Sequence, residues 1–271
     1  MSDFRIRPIW IQLSVLVAAL VAVASAAGIF LKSVYARETA SWAAQGIGQD
    51  FVNLTVAVPA LLASGWFLRK GSARGLLVWM GVLIYVIYSY MMYAFSVHFG
   101  MMFPVYVAAL GLSSYTLFGS LFSLDRGALR ASFPSAIKVK PAAVYLMVSG
   151  VAFSGLWLSD IVHALIAGTA PAGLAETGLP VNFVHVEDLG FILPGMIITS
   201  VLLWKRKALG YIFAVPLMVF AAAMGIGIIS MFAAMSRRGL GEGGPMGIAM
   251  GALVAVSVLL TVLFLMDVKR A

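Results

Sequence analysis

The sequence contains no cysteine and very little charge. Its 271 residues include 18 Lys and Arg and 10 Asp and Glu, so 10% are charged, whereas soluble domains carry about 25%. The absence of cysteine excludes disulfides, thiolate metal ligands, iron–sulfur clusters and thiol catalysis. The scarcity of charge, with 62% hydrophobic residues and a mean hydropathy of +1.04, predicts an integral membrane protein.

The charge that is present is mostly positive, with a net value of +8. In a soluble protein such an excess would suggest an acidic partner. In a membrane protein, however, basic residues collect in cytoplasmic loops, where they set the orientation of the helices. The sequence therefore predicts the lipid bilayer as a partner and gives no reason to expect nucleic acid.

Long apolar runs are the feature that the sequence has in abundance. Eight runs are long enough to cross a bilayer, which requires about 20 apolar residues in a helix. The first run follows Arg5 and Arg7 and resembles a signal peptide, but it is longer than the apolar part of one, so we interpret it as a span. The runs lie at about 10–31, 51–68, 76–97, 101–123, 142–165, 186–204, 209–235 and 245–266.

The basic residues are distributed unevenly between the two sides of the predicted bundle. When successive loops are assigned to alternate sides, 14 of the 18 basic residues fall on the side of the termini. The exceptions are Lys32, Arg37, Arg237 and Arg238. By the positive-inside rule, this distribution predicts that both termini are cytoplasmic.

The two halves of the chain show a similar pattern. The second predicted span opens with GQDFVNLTVAVP and ends at Arg69, and the sixth opens with VEDLGFILP and ends at Lys205. Each follows a polar extracytoplasmic loop, at about 33–49 and 166–184, and each precedes a short basic turn. The pattern predicts two four-helix repeats in the same orientation.

The expected fold class is all-α, a polytopic membrane helix bundle of eight transmembrane helices in two parallel repeats. The halves are expected at 1–124 and 141–271, with a basic cytoplasmic linker at 125–140. When the halves are superposed, we expect Asp50 and Asp188 to lie within one helical turn of each other, roughly 5 Å.

Three segments of the chain resemble a known group of membrane proteins. They read GQDFVNLTVAVPALLASGWFLRKGSARGLLVW, YVIYSYMMYAFSVHF and LGFILPGMIITSVLLWKRKALGY. In these segments the chain is similar to an uncharacterised family of bacterial multi-pass integral membrane proteins with no known activity. The resemblance implies a bacterial or archaeal cytoplasmic (inner) membrane, and it implies no functional residue.

Polar residues collect at the predicted extracytoplasmic ends of the helices. The layer contains all three histidines and several acidic residues: Asp50, His98, Asp160, His163, His185, Glu187 and Asp188. Acidic residues at a helix N-terminus are favoured by the helix dipole, so capping alone would account for Asp50, Glu187 and Asp188.

Spacing within this layer also suits a metal site. Asp160 and His163 are three residues apart, and so are His185 and Asp188, so each pair can share one helix face. Imidazole and carboxylate groups suit zinc or another divalent metal. The candidate metal ligands are His98, His163, His185, Asp160 and Asp188. A metal-bound water would make the protein a membrane-embedded hydrolase acting on lipid.

A third interpretation is a binding site for a small molecule or an ion. Tyr85 and Tyr88 lie near the middle of their span, where a hydroxyl needs a hydrogen-bond partner, and Asn53 lies one turn beyond Asp50. Such groups can line a polar cavity, or they can form hydrogen bonds between packed helices. The candidate ligand-binding residues are Asp50, Asn53, Tyr85, Tyr88, Asp160, His163, His185 and Asp188.

The last predicted span contains Gly247 and Gly251 in a GxxxG spacing. Small residues at this spacing let two helices approach closely. We expect these glycines to pack within the bundle, and homodimerisation is the alternative use of the same face.

The sequence leaves three functions open. The main hypothesis is a transporter or binding protein with a polar site for a small molecule or ion near the extracytoplasmic side, because polar groups recur at corresponding positions of the two halves. The alternatives are the metal-dependent hydrolase and a non-catalytic sensor or assembly partner. Enzyme activity and a metal cofactor follow only from the hydrolase hypothesis.

Overall fold

The structure is a computed structural model that describes residues 6–134, 139–241 and 244–268. Within these residues, eight helices are long and apolar enough to cross a membrane, and no strand is present. This confirms the predicted all-α bundle of eight spans. The helices are α1 Pro8–Phe30, α2 Ala40–Arg69, α3 Ala73–Ser96, α4 Phe103–Ser123, α5 Lys140–Ala167, α6 Phe183–Trp204, α7 Ala208–Ser236 and α8 Gly244–Asp267.

Polar caps and prolines set several of the helix boundaries. The side chain of Thr39 accepts a hydrogen bond from the backbone of α2, and the side chains of Ser72 and Asn182 do the same for α3 and α6. These contacts satisfy backbone N–H groups that have no partner inside the helix. Proline occupies the first turn of α1, where its missing N–H costs nothing.

The start of α2 differs from the sequence-based prediction. The segment 33–49 was expected to be a loop, but α2 begins at Ala40. Its first turns are helical because small residues pack them closely against α7; a Cβ added at Gly48 would lie 2.6 Å from the Cα of Met231. Asp50 therefore lies about 15 Å beyond the first residue of the helix and cannot cap it.

Both α2 and α6 contain a short π-helical turn. The turns span Asn53–Ala57 and Asp188–Ile192, and each is followed by a proline, Pro59 or Pro194. A proline clashes with the carbonyl four residues before it, and the wider π-turn relieves this clash. The turns also rotate the preceding part of each helix, which sets the direction of the acidic side chains.

Two other local features occur near both α2 and α6. Their two copies are separated by the same number of residues as the two π-turns. The turns that follow α2 and α6 contain a residue with positive φ, Gly71 or Arg206. The next helices then bring Gly75 or Gly210 against the backbone of the preceding helix. These features agree with a duplicated unit, although the two-repeat arrangement and the boundaries 1–124, 125–140 and 141–271 remain predictions.

The core of the bundle is formed mainly by α3 and α7. In the most apolar stretch of α3, 78% of the residues are buried, whereas 17% are buried in the corresponding stretch of α8. The largest buried side chains include Trp79 and Tyr90 from α3 and Tyr211 from α7. The helix α7 also packs against α2, so it joins the two predicted halves.

The glycines of α8 do not pack within the bundle as expected. A Cβ added at Gly247 or Gly251 would meet nothing within 4 Å. The side of α8 that meets α7 instead carries Leu253 and Val254, which lie against Gly225. The packing interpretation is therefore wrong for the described chain, and homodimerisation through this face stays a prediction.

Candidate functional site

Asp50 lies in a buried cluster of hydroxyl groups. Its side chain is 2% exposed, and it accepts hydrogen bonds from the phenols of Tyr35 at 2.5 Å and Tyr93 at 2.9 Å. The rings of Tyr90 and Tyr106 pack against Tyr93, with centroids 5.4 and 5.2 Å away. The acidic group is thus stabilised by phenols, and the capping interpretation of Asp50 is wrong.

The loop between α1 and α2 closes this cluster. Tyr35 comes from that loop, and its side chain is 7% exposed. Burial, and next the proximity of Asp50, raises the pKa of the Tyr35 phenol well above its ordinary value, so the phenol keeps the proton that it donates. Glycines make room for the pair, since a Cβ at Gly28 would lie 1.8 Å from Oδ2 of Asp50.

A second polar network joins α2 to α3 one turn further into the bundle. Nε2 of Gln49 donates to the hydroxyl of Tyr85 at 2.6 Å and to that of Ser89 at 3.1 Å. The hydroxyl of Tyr85 donates to Oδ1 of Asn53 at 2.9 Å. The structure therefore brings together two of the predicted residues, Asn53 and Tyr85, and adds Gln49.

This network contains unpaired polar atoms. Oε1 of Gln49 and Nδ2 of Asn53 are buried and have no hydrogen-bond partner among the described residues. Oε1 of Gln49 faces α7, where a Cβ at Gly227 would lie 2.8 Å from it. The contact explains why a residue without a side chain is required at Gly227.

Asp188 is held by two aromatic donors from other helices. Nε1 of Trp157 in α5 donates to Oδ2 at 2.8 Å, and the hydroxyl of Tyr88 in α3 donates to Oδ1 at 3.2 Å. The cap of α6 is Asn182, so the capping interpretation is also wrong for Asp188. The two donors fix the carboxylate at the meeting point of three helices.

The carboxylate of Asp188 lies at the wall of a cavity of about 90 Å³. The lining comes from α3, α5, α6, α7 and α8 and is mostly apolar. Among the lining residues, all of which are described, Asp188 is the one with a charged side chain. The aromatic residues of the lining are Tyr88, Tyr145, Phe153, Trp157 and Phe220.

A smaller, outer cavity of about 20 Å³ lies between Tyr88 and the loop that joins α1 to α2. Its lining includes Gln45 and Gln49 from α2 and Tyr93 from α3. Tyr88 and Met224 line both cavities, so they separate the outer cavity from the one at Asp188. A volume of this size is enough for about one water molecule.

Glu187 lies beside Asp188 but has no hydrogen-bond partner in the described part of the chain. Its side chain is 2% exposed, and neither carboxyl oxygen has a hydrogen-bond partner among the described residues. The turn at 187–188 thus places two acidic side chains inside the protein. Within the described chain, neither of them forms an ion pair with Lys or Arg.

His185 approaches Asp160 without a direct hydrogen bond. Nε2 of His185 lies 3.7 Å from Oδ2 of Asp160, which is longer than the 2.7 to 3.2 Å expected for a hydrogen bond. The imidazole also packs on the indole of Trp157, with ring centroids 4.8 Å apart. His185 is buried and Asp160 is exposed, so the pair lies at the rim of the Asp188 site.

The other two histidines lie elsewhere on the surface. Nδ1 of His163 is 2.7 Å from the carbonyl oxygen of Ser159. His98 contacts Glu38, with Nδ1 3.0 Å from Oε2. Among the described residues, no group of three or more His, Cys, Asp or Glu side chains is arranged to hold a metal ion. The candidate ligands are therefore not brought together.

Sequence reasoning missed several partners of the acidic residues. Trp157 and Tyr35 are far from Asp188 and Asp50 in sequence, and neither has a motif that marks the contact. Tyr93 belongs to the tyrosine-rich run of α3, which was a usable signal. The exposed Asp160 and His163 lie outside the cavity at Asp188.

Searches of the chain against protein-family models, curated proteins and solved structures find no match. The resemblance to an uncharacterised membrane-protein family therefore stays an expectation from the sequence. A functional conclusion has to come from the geometry of the cavities and their polar groups.

Proposed function

We propose that the protein binds a small organic cation with apolar substituents in the cavity at Asp188. The observation that carries this proposal is a carboxylate fixed by Trp157 and Tyr88 at the wall of a mostly apolar cavity. The cavity has room for a group of several heavy atoms, since a water molecule needs only about 10 to 15 Å³.

Charge complementarity favours a cation over a neutral or anionic ligand. Each oxygen of Asp188 accepts one hydrogen bond in the structure, so lone pairs remain for a ligand. The neighbouring Glu187 adds a second buried carboxyl group, for which the described residues provide no hydrogen-bond partner. A cation bound at this turn would offset the cost of burying these groups.

The aromatic lining favours an organic cation over a metal ion. Tyr88 and Phe220 pack edge to face, with centroids 5.3 Å apart, and Phe153 and Trp157 lie across the cavity on α5. Aromatic faces attract quaternary ammonium groups, which make up the usual ligands of aromatic cages. The apolar methionine and leucine side chains of the lining suit the substituents of such a cation.

Translocation is a second candidate, and the shared wall of the two cavities favours it. A rotation of Tyr88 would join the cavity at Asp188 to the outer one near Gln45 and Gln49. We place this outer cavity on the extracytoplasmic side of an inner membrane, with both termini in the cytoplasm. Uptake of radiolabelled choline into proteoliposomes would support translocation, and binding without uptake would leave a receptor or sensor.

Binding can be tested with a pair of probes that differ in charge alone. Choline carries a quaternary ammonium group, and 3,3-dimethylbutan-1-ol has the same shape without the charge. We expect calorimetry on the detergent-purified protein to detect choline and not the alcohol. Asp188→Asn should weaken choline binding by tenfold or more, because it removes the negative charge that attracts the ammonium group; tenfold corresponds to about 1.4 kcal/mol.

The control is Asp160→Asn, which removes an exposed acidic group near the rim of the site. It should leave choline binding unchanged, because Asp160 does not line the cavity. Equal binding of choline and the alcohol, or unchanged binding in Asp188→Asn, would overturn the proposal.

A further inference from the structure

A groove on the membrane-facing surface lies between α5 and α6 and shares no lining residue with the cavity at Asp188. Its volume is about 270 Å³. The floor is formed by Ala143 and Ser200. The hydroxyl of Ser200 donates to the carbonyl oxygen of Ala143 at 2.6 Å. Its sides include Val144 and Val148, which are 48% and 59% exposed. The groove is therefore apolar and open to the surroundings of the bundle.

Two lysines and a tryptophan lie at one end of the groove. Trp204 is the last residue of α6 and is 55% exposed. Lys205 follows it and lines the groove, and Nζ of Lys140 lies 5.9 Å from the centroid of the Trp204 ring. Tryptophan is enriched at the level of lipid headgroups. The groove is thus apolar along its length and positively charged at one end.

We propose that this groove binds an anionic phospholipid, with one acyl chain along α5 and the phosphate at Lys140 and Lys205. The stretch of α5 from Lys140 to Val148 covers about 12 Å, which accommodates the part of one acyl chain nearest the headgroup. Basic pockets between transmembrane helices are suited to anionic headgroups. This site is independent of the cation site at Asp188.

The headgroup contact can be tested by native mass spectrometry with phosphatidylglycerol and phosphatidylcholine. We expect tighter binding of phosphatidylglycerol. Replacing both lysines, Lys140→Gln with Lys205→Gln, should weaken its binding by roughly tenfold or more and leave phosphatidylcholine unaffected. The matched control is Arg69→Gln with Lys70→Gln, because Lys70 lies 3.5 Å from the centroid of Trp66 at the end of α2, outside the groove.

The acyl-chain contact needs a separate variant. Val148→Trp would fill the groove from an exposed position, so it should weaken phosphatidylglycerol binding without affecting folding. Val151→Trp is its control, since Val151 is 55% exposed on the same helix and does not line the groove.

Three outcomes would overturn the proposal. Equal losses in the Lys140/Lys205 and Arg69/Lys70 variants would mean general charge attraction. Unchanged binding in Val148→Trp would remove the acyl chain from the groove. Displacement of phosphatidylglycerol by glycerol 3-phosphate at equal concentration would identify a site for free phosphate compounds in place of a lipid.

Discussion

Asp50 is surrounded by phenols and glycines, and within the described chain it has no ion pair. Burying a carboxyl group without hydrogen bonds is costly, so the two phenols carry much of the stabilisation of this side chain. The arrangement also depends on small residues, because Gly28 lies directly against Asp50 and Gly46 lies against Tyr35.

Gly28→Ala should destabilise the protein. The added methyl group would overlap Oδ2 of Asp50, and relief of such overlap costs about 1 to 3 kcal/mol. The free energy of unfolding in detergent micelles would measure the loss. Gly155→Ala is the control, because a Cβ at Gly155 meets nothing within 4 Å. Equal stability of the two variants would contradict the tight packing at Asp50.

Tyr35→Phe should lower stability by an amount that depends on pH. The variant loses the hydrogen bond to Asp50, about 1.5 to 3 kcal/mol if the acceptor is charged. The pKa of Tyr35 is raised in the folded protein, and that of an unfolded tyrosine is about 10. The contribution of Tyr35 is therefore complete below about pH 10 and is lost as pH rises through the folded pKa.

Unfolding measured at pH 8 and at pH 11 checks this expectation. The difference between wild type and Tyr35→Phe should be smaller at pH 11. Tyr115→Phe serves as the control, because Tyr115 is 73% exposed and should make no difference at either pH. A difference that grows at pH 11 would contradict the assignment.

Some of the polar residues were predictable from their depth in a span. Tyr85 and Tyr88 were singled out because a hydroxyl in the middle of a helix needs a partner, and the structure gives them Asn53 and Asp188. Whether these residues bind a ligand stays a prediction. Trp157 was not predictable, because its contact with Asp188 depends on how α5 and α6 rotate against each other.

The π-turns of α2 and α6 determine where the acidic residues point. Each turn holds more residues than an α-helical turn, so the helix before it is rotated relative to the helix after it. In α6 the turn begins at Asp188 itself and directs the carboxylate toward Trp157 and Tyr88. The proline after each turn was visible in the sequence, but the extra residue was not.

Pro194→Ala should allow a continuous α-helix in α6, because it removes the proline that the wider turn accommodates. With the residue count kept, the segment before the turn would rotate by roughly 100°, and Asp188 would leave the wall of the cavity. We expect choline binding to fall at least tenfold, roughly as in Asp188→Asn. The indole N–H resonance of Trp157 should also shift. Gly190→Ala keeps the proline and should preserve both signals, so equal effects of the two changes would contradict this role.

The first turns of α2 show where sequence reasoning failed at the scale of an element. The segment 40–49 contains serine, glutamine and glycine, and this composition is typical of a loop. Its small residues instead pack against α7, with Oγ of Ser230 donating to the carbonyl oxygen of Gly48 at 2.7 Å. This contact joins distant parts of the chain, so a local pattern could not predict it.

The orientation of the whole molecule rests on the distribution of its basic residues. A chain without cysteine permits a direct test by labelling of single cysteines. Ala175→Cys should react with a membrane-impermeant thiol reagent in intact cells, and Lys207→Cys should not. Both positions are exposed. The reverse pattern would place both termini outside.

The fold class followed from eight apolar runs, because a lipid environment requires long helices whose backbone groups are paired internally. The equivalence of the two halves is less direct. The π-turns begin at Asn53 and Asp188, so Asp188 corresponds to Asn53, and Asp50 lies one helical turn before that position. From the sequence, Asp50 was instead paired with Asp188, because each is followed at a similar distance by basic residues.

The position of α7 limits how the molecule can move. This helix belongs to the second half, yet its backbone touches Gly48 of α2, and Gly81 of α3 fits against Val219. Rigid-body rocking of one half against the other would have to open these backbone contacts, which are closely packed along much of the helix. Alternating exposure of the cavity at Asp188 would then have to arise from rotamer changes such as that of Tyr88, so its rate would be set by side-chain motion and not by movement of whole domains.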